Sequence, residues 1–118
     1  MYRLLRAAIN SWHGLCDLAR SEPAFRQELA ALIIGVPLAF LIAQESWKRL
    51  VLIAVLCLVL VIELLNTAVE KLADRVSREN DVQIGHIKDM GSAAVGLTLL
   101  IAACVWLLAF AEALIASW

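Results

Sequence analysis

Hydrophobic and polar positions divide this chain into four blocks, each of which reads as a helix. Over residues 1–21, Leu5, Ala8, Ile9, Trp12, Leu15 and Ala19 recur at steps of three and four. Arg3, Arg6, Asn10, His13, Asp17 and Arg20 take the other side. A basic amphipathic helix with a Trp on its apolar face is expected to lie on a membrane surface. Ser21, Glu22 and Pro23 interrupt it, because proline lacks an amide donor and disfavours helix at the residue before it. A second helix is expected over 23–43, running through Phe25, Arg26 and Glu28 into an apolar stretch at 29–43. Those fifteen residues rise only about 22 Å, short of a hydrocarbon core about 30 Å thick. Either this span borrows its ends from flanking residues, or it is kinked, which Gly35 and Pro37 allow.

Residues 44–49 read as a polar connection, with Trp47 as an interface anchor. The next helix is expected over 50–78, crossing the membrane in its first part and extending into the cytoplasm in its last. Residues 79–85 are polar and read as a loop. The last helix, over 88–114, contains 22 residues (90–111) without a charge, enough to cross a bilayer. Trp106 and Trp118 fall toward its far end, where interfacial aromatic residues gather.

Composition turns these apolar blocks into membrane spans. The chain is 63% hydrophobic with a mean hydropathy of +0.84, against about 45–50% for soluble domains. It reads as one all-α integral membrane domain of 118 residues. Of ten Lys and Arg, four precede residue 29, two are Lys48 and Arg49, four lie between Lys71 and Lys88, and none follow. The positive-inside rule puts the N-terminus and the 71–89 region in the cytoplasm and the C-terminus outside. No cleavable secretory signal is expected. Cys16, Cys57 and Cys104 lack ligand spacing and read as small hydrophobes. Gly91, Ser92, Ala93, Ala94 and Gly96 offer a small-residue face for another helix, which points to a homo-oligomer.

The candidate chemistry begins at Glu63. It follows thirteen uncharged apolar residues (50–62), and a carboxylate there costs roughly 2.5–3.5 kcal/mol on insertion scales, which marks a functional position. Glu70 and Asp74 lie within about 20° of it on the same helical face, with Asn66 and Thr67 flanking the stripe. Glu63 sits about 10 Å deeper than Glu70, so Glu70 is placed near water and ions and Glu63 near lipid. A carboxylate withdrawn from water suits proton acceptance. Glu70 is a candidate Mg²⁺ ligand, with Glu22 or Glu28 as a partner. His86, Lys88 and Asp89 stand just before the last span, where Lys88 can neutralise phosphate. Walker and kinase glycine loops, HExxH and cysteine pairs are absent from the sequence. A proton or cation channel, or a subunit docking a larger membrane protein, would also use such a stripe. The stripe stops halfway, however, and 50–62 offers no polar ligand for a transmembrane path.

The strings Glu-Pro-Ala-Phe-Arg-Gln-Glu (22–28), Val-Ile-Glu-Leu-Leu-Asn-Thr-Ala-Val-Glu (61–70) with Asp74 and Arg75, and Lys-Asp-Met-Gly-Ser-Ala-Ala-Val (88–95) resemble the prokaryotic diacylglycerol kinase family. The likeness covers nearly the whole chain and is nearer the Gram-negative diacylglycerol kinases than the related undecaprenol kinases. It implies a homotrimer of three-span subunits with surface helices in the bacterial inner membrane. Its active sites are shared between neighbouring subunits, and it uses MgATP to phosphorylate diacylglycerol to phosphatidic acid, with no nucleic-acid partner. On that resemblance Glu63 is the base, and Glu22 and Glu70 hold Mg²⁺ with the ATP phosphates. Lys88, Asp89 and the segment Glu79, Asn80 and Asp81 face the nucleotide. Arg3, Asn66 and Asp74 are further polar active-site positions; Arg3, Trp12, Glu28 and Ser92 join Glu63 toward the lipid. Asn10 stands where some relatives carry an aromatic residue, and the 79–84 loop departs from the family in sequence. Undecaprenol remains the alternative acceptor.

Overall fold

The computed structural model describes residues 1–77 and 81–117, and its regular elements are all α-helices: α1 (Tyr2–Ser21), α2 (Pro23–Ile42), α3 (Ser46–Val76) and α4 (Val82–Ala116). The last three are each long and apolar enough to cross a membrane. At 1.5 Å per residue they measure about 30, 46 and 52 Å. The bundle's longest dimension is 57 Å, so the ends of α3 and α4 project well beyond a hydrocarbon core about 30 Å thick.

The corner between α1 and α2 is made by Glu22, whose backbone is extended (φ −115°, ψ 110°), with Pro23 in the first turn of α2. Arg26 reaches back across the corner. Its Nη1 donates to the carbonyls of Ala19 and Arg20, both at 3.0 Å, which satisfies acceptors that the last turn of α1 would leave open. Leu18, Phe25 and Leu60 pack beneath it. Leu18 is the one buried residue of α1, so the apolar positions Leu5, Ile9 and Trp12 stay exposed.

α2 draws on flanking residues for its length, as the first of the two alternatives expects. The helix starts at Pro23, and its 20 residues reach about 30 Å by including the polar turn that carries Arg26 and Glu28. Pro37 sits within the continuous helix. Gly35 serves packing: a Cβ there would collide with Leu56 and stand 3.5 Å from the Trp106 ring. The second core cluster, Ala39, Ala43 and Leu52, lies at the far end with Ile53, Val105 and Trp106 against it. The largest helix–helix interface joins α3 to α4, and α2 packs on α3 next.

Four boundaries of α3 and α4 differ from the sequence reading. α3 begins at Ser46 rather than at 50, so Trp47 and Lys48 lie in its first turn, and it ends at Val76. α4 begins at Val82, six residues before 88, and runs to Ala116. The cause is Asp81, whose side chain accepts from the amides of Gln83 (2.8 Å) and Ile84 (3.4 Å). That cap satisfies the first free amides and lets a polar stretch start a helix. Residues 82–85 are therefore helix and not loop. Residues 78–80 and Trp118 lie outside the described residues.

Candidate active site

α3 carries the polar column, and the bundle closes around its deep end. Glu63 is 8% exposed and Thr67 7%. One turn further along α3, the Asn66 Nδ2 donates to Glu70 Oε1 at 3.0 Å, a pairing that the four-residue helical step makes local. The Oδ1 of Asn66 is buried without a hydrogen-bond partner among the described residues, and so is the Oε2 of Glu28 on α2. Glu28, Glu22 and Glu70 all lie within electrostatic reach of Glu63. Starting α2 at Pro23 is what brings Glu22 and Glu28 to the level of this column. Leaving buried acceptors unpaired is costly, and two such atoms beside a buried carboxylate mark a place prepared for a polar ligand.

The shallow end is held from α4. Lys88 Nζ donates to Asp74 Oδ1 at 2.6 Å, joining the C-terminal part of α3 to the N-terminal part of α4. Beyond it, Lys71, Asp74, Arg75, Val76 and Ser77 line an open cleft of about 490 Å³. Gly91, about one turn after Lys88, faces Asn66: a Cβ built there would collide with the amide oxygen and stand 3.3 Å from Cγ.

Within one chain, then, Glu22, Glu28, Glu63, Asn66 and Glu70 come together, with Asp74 and Lys88 next to them. Ser92 and Asp89 are exposed on α4. Asp81 is engaged as the α4 cap, and Glu79 and Asn80 lie outside the described residues. Arg3 and Trp12 are exposed on α1, and Arg3 stands about 22 Å of helix before Leu18, away from the column. Two residues escaped the sequence reading: Gly91 as the neighbour of Asn66, and Arg26 as the clasp on α1. Both are tertiary contacts, and the one local signal was a basic residue three positions after Pro23.

No group of three His, Cys, Asp or Glu side chains among the described residues converges to hold a metal. Magnesium usually takes one or two carboxylates and fills its shell with phosphate oxygens and water. Glu22 and Glu70 suit an ion that arrives with a nucleotide.

The prokaryotic diacylglycerol kinase family model matches residues 9–110. The diacylglycerol kinase of Escherichia coli K12 is 38% identical over 104 residues, covering 88% of this chain and 85% of that protein. That of Pseudomonas aeruginosa is 39% identical over 104 residues with the same two coverages. That of Haemophilus influenzae is 36% identical over 103 residues, 87% of each.

Proposed function

The chain belongs to the prokaryotic diacylglycerol kinase family, and on that premise we propose that it transfers the γ-phosphoryl group of ATP to the hydroxyl of diacylglycerol. The products are phosphatidic acid, returned to phospholipid synthesis, and ADP. The observation that carries this reading is the buried carboxyl of Glu63 directly below the Asn66–Glu70 pair. On this reading Glu63 is the proton acceptor at lipid depth, and Glu70 is a cation ligand about two turns nearer water.

In the reaction, Glu63 takes the proton of the lipid hydroxyl as that oxygen bonds to the γ-phosphorus and the bond to the ADP oxygen breaks. Glu22 and Glu70 would hold Mg²⁺ with the ATP phosphates, and the ion's charge offsets that of the transferring group. Asn66 fixes the Glu70 carboxylate. Lys88, steadied by Asp74, adds positive charge on the phosphate side, where phosphoryl transfer depends on positioning and electrostatics. Asp89 serves the nucleotide, while Glu28 and Ser92 serve the lipid.

Arg3 and Trp12 reach such a site from another subunit, in a homotrimer with shared active sites. The distance of Arg3 from the column within one chain and the exposure of Trp12 support this, as does the thin cover on α4, of whose most apolar stretch only 11% is buried. The N-terminus and the α3–α4 junction lie on the cytoplasmic side of the bacterial inner membrane, with α1 on its surface and the C-terminus in the periplasm.

Purified protein in mixed micelles, given γ-labelled ATP with diacylglycerol, undecaprenol or no lipid, tests the reading. Labelled phosphatidic acid is the expected product. Undecaprenyl phosphate as the dominant product would reassign the acceptor, and no lipid-dependent transfer would overturn the proposal.

A further inference from the structure

Gly91 stands on α4 with no side chain, opposite Asn66, the one side chain among the described residues that hydrogen-bonds to Glu70. Its Cβ position is already taken by the Asn66 amide oxygen. That oxygen is buried and unpartnered, while the amide nitrogen of the same group donates to Glu70 at 3.0 Å. An asparagine amide has two ends, and turning it away from Gly91 would break the bond to Glu70. We propose that Gly91 is a positioning residue: its missing side chain holds Asn66 in the one orientation that presents Glu70 to the metal–nucleotide complex. The inference rests on the proposed role of Glu70 and extends it to a residue that touches neither metal nor substrate. A methyl group at 91 forces the amide to swing, because the neighbouring α4 backbone cannot retreat without moving the helix. Glu70 then loses a charge-assisted hydrogen bond and its fixed geometry.

The test separates this from a plain packing role by measuring Mn²⁺ binding with a non-hydrolysable ATP analogue, by electron paramagnetic resonance. The proteins compared are the unsubstituted chain and the variants Gly91→Ala, Asn66→Ser, and the two combined. The expected result is about tenfold weaker Mn²⁺ binding for Gly91→Ala, and a double variant no weaker than Asn66→Ser alone, because serine leaves room for the methyl. Equal affinity in Gly91→Ala and the unsubstituted protein overturns the proposal, as does a methyl effect of the same size in both backgrounds. Should Gly91→Ala fail to assemble, recovery of assembly in the double variant supports the contact, and continued failure assigns Gly91 to helix packing and overturns it. If the unsubstituted protein binds no Mn²⁺ with the nucleotide, the metal role of Glu70 falls first and this inference with it.

Discussion

The two ends of the α3–α4 pair handle polar groups in opposite ways. At the far end no buried side-chain polar atom among the described residues is left unpaired. The Trp106 Nε1 donates to the Leu52 carbonyl at 3.1 Å, the Arg49 Nε to the Ala43 carbonyl at 2.8 Å, and Lys48 meets Glu112 at 2.7 Å. Around these bonds Ala39, Ala43 and Leu52 form a closed apolar cluster. At the Glu63 end, Glu63 and Thr67 are buried, while Glu28 and Asn66 each keep a buried oxygen without a partner among the described residues. Both ends are costly to build in a membrane. The far end recovers that cost through its own hydrogen bonds and reads as structure. The Glu63 end leaves acceptors open, as a site does when substrate or cation supplies the missing partners.

That contrast is sharpened most strongly at Glu70. Glu70→Gln keeps the size of the side chain and removes its charge. It is expected to lower kcat/KM by about a hundredfold or more, with part of the loss recovered at raised Mg²⁺, as a magnesium titration of the kinase rate would show. A loss indifferent to Mg²⁺ would break the assignment of this end to cation binding.

The next test compares packing losses. Phe25 and Leu52 are the two largest fully buried side chains, one at each end. Truncating either to Ala is expected to cost about 2–4 kcal/mol of stability, read from denaturation in detergent. Phe25→Ala should also lower turnover, because Phe25 supports the corner that places Glu22. Leu52→Ala should leave the turnover of the folded fraction unchanged. Equal kinetic losses from both would erase the distinction between the ends.

The smallest effect is expected at Trp106→Phe, which removes a single hydrogen bond at the far end. A loss of about 1 kcal/mol in unfolding, with unchanged KM and kcat, is the predicted result. A change in either kinetic constant would show that the far end takes part in the reaction.

How much of this was legible in the sequence follows from which interactions are local. The break at Glu22 and Pro23, the three apolar helices and the one-sided stripe from Glu63 to Asp74 all depend on helical period and proline chemistry, which a single strand of text displays. The start of α4 departs from the sequence reading although its signal is local: Asp81 reads as part of a polar loop, and it is a cap. The contacts that shape the site were not legible. Lys88 meets Asp74 and Gly91 faces Asn66 only because α3 and α4 pack in one register. The unpartnered state of the Glu28 and Asn66 oxygens depends on every neighbouring helix at once.

The central claim is that the buried carboxyl of Glu63 accepts the lipid proton. The direct measurement is the turnover of Glu63→Gln in mixed micelles saturated with MgATP and diacylglycerol, beside nucleotide binding and oligomeric state on the same preparation. The account predicts a fall in kcat of about 10²–10⁴ with binding and assembly retained. Near-normal phosphorylation by an intact assembly would contradict it.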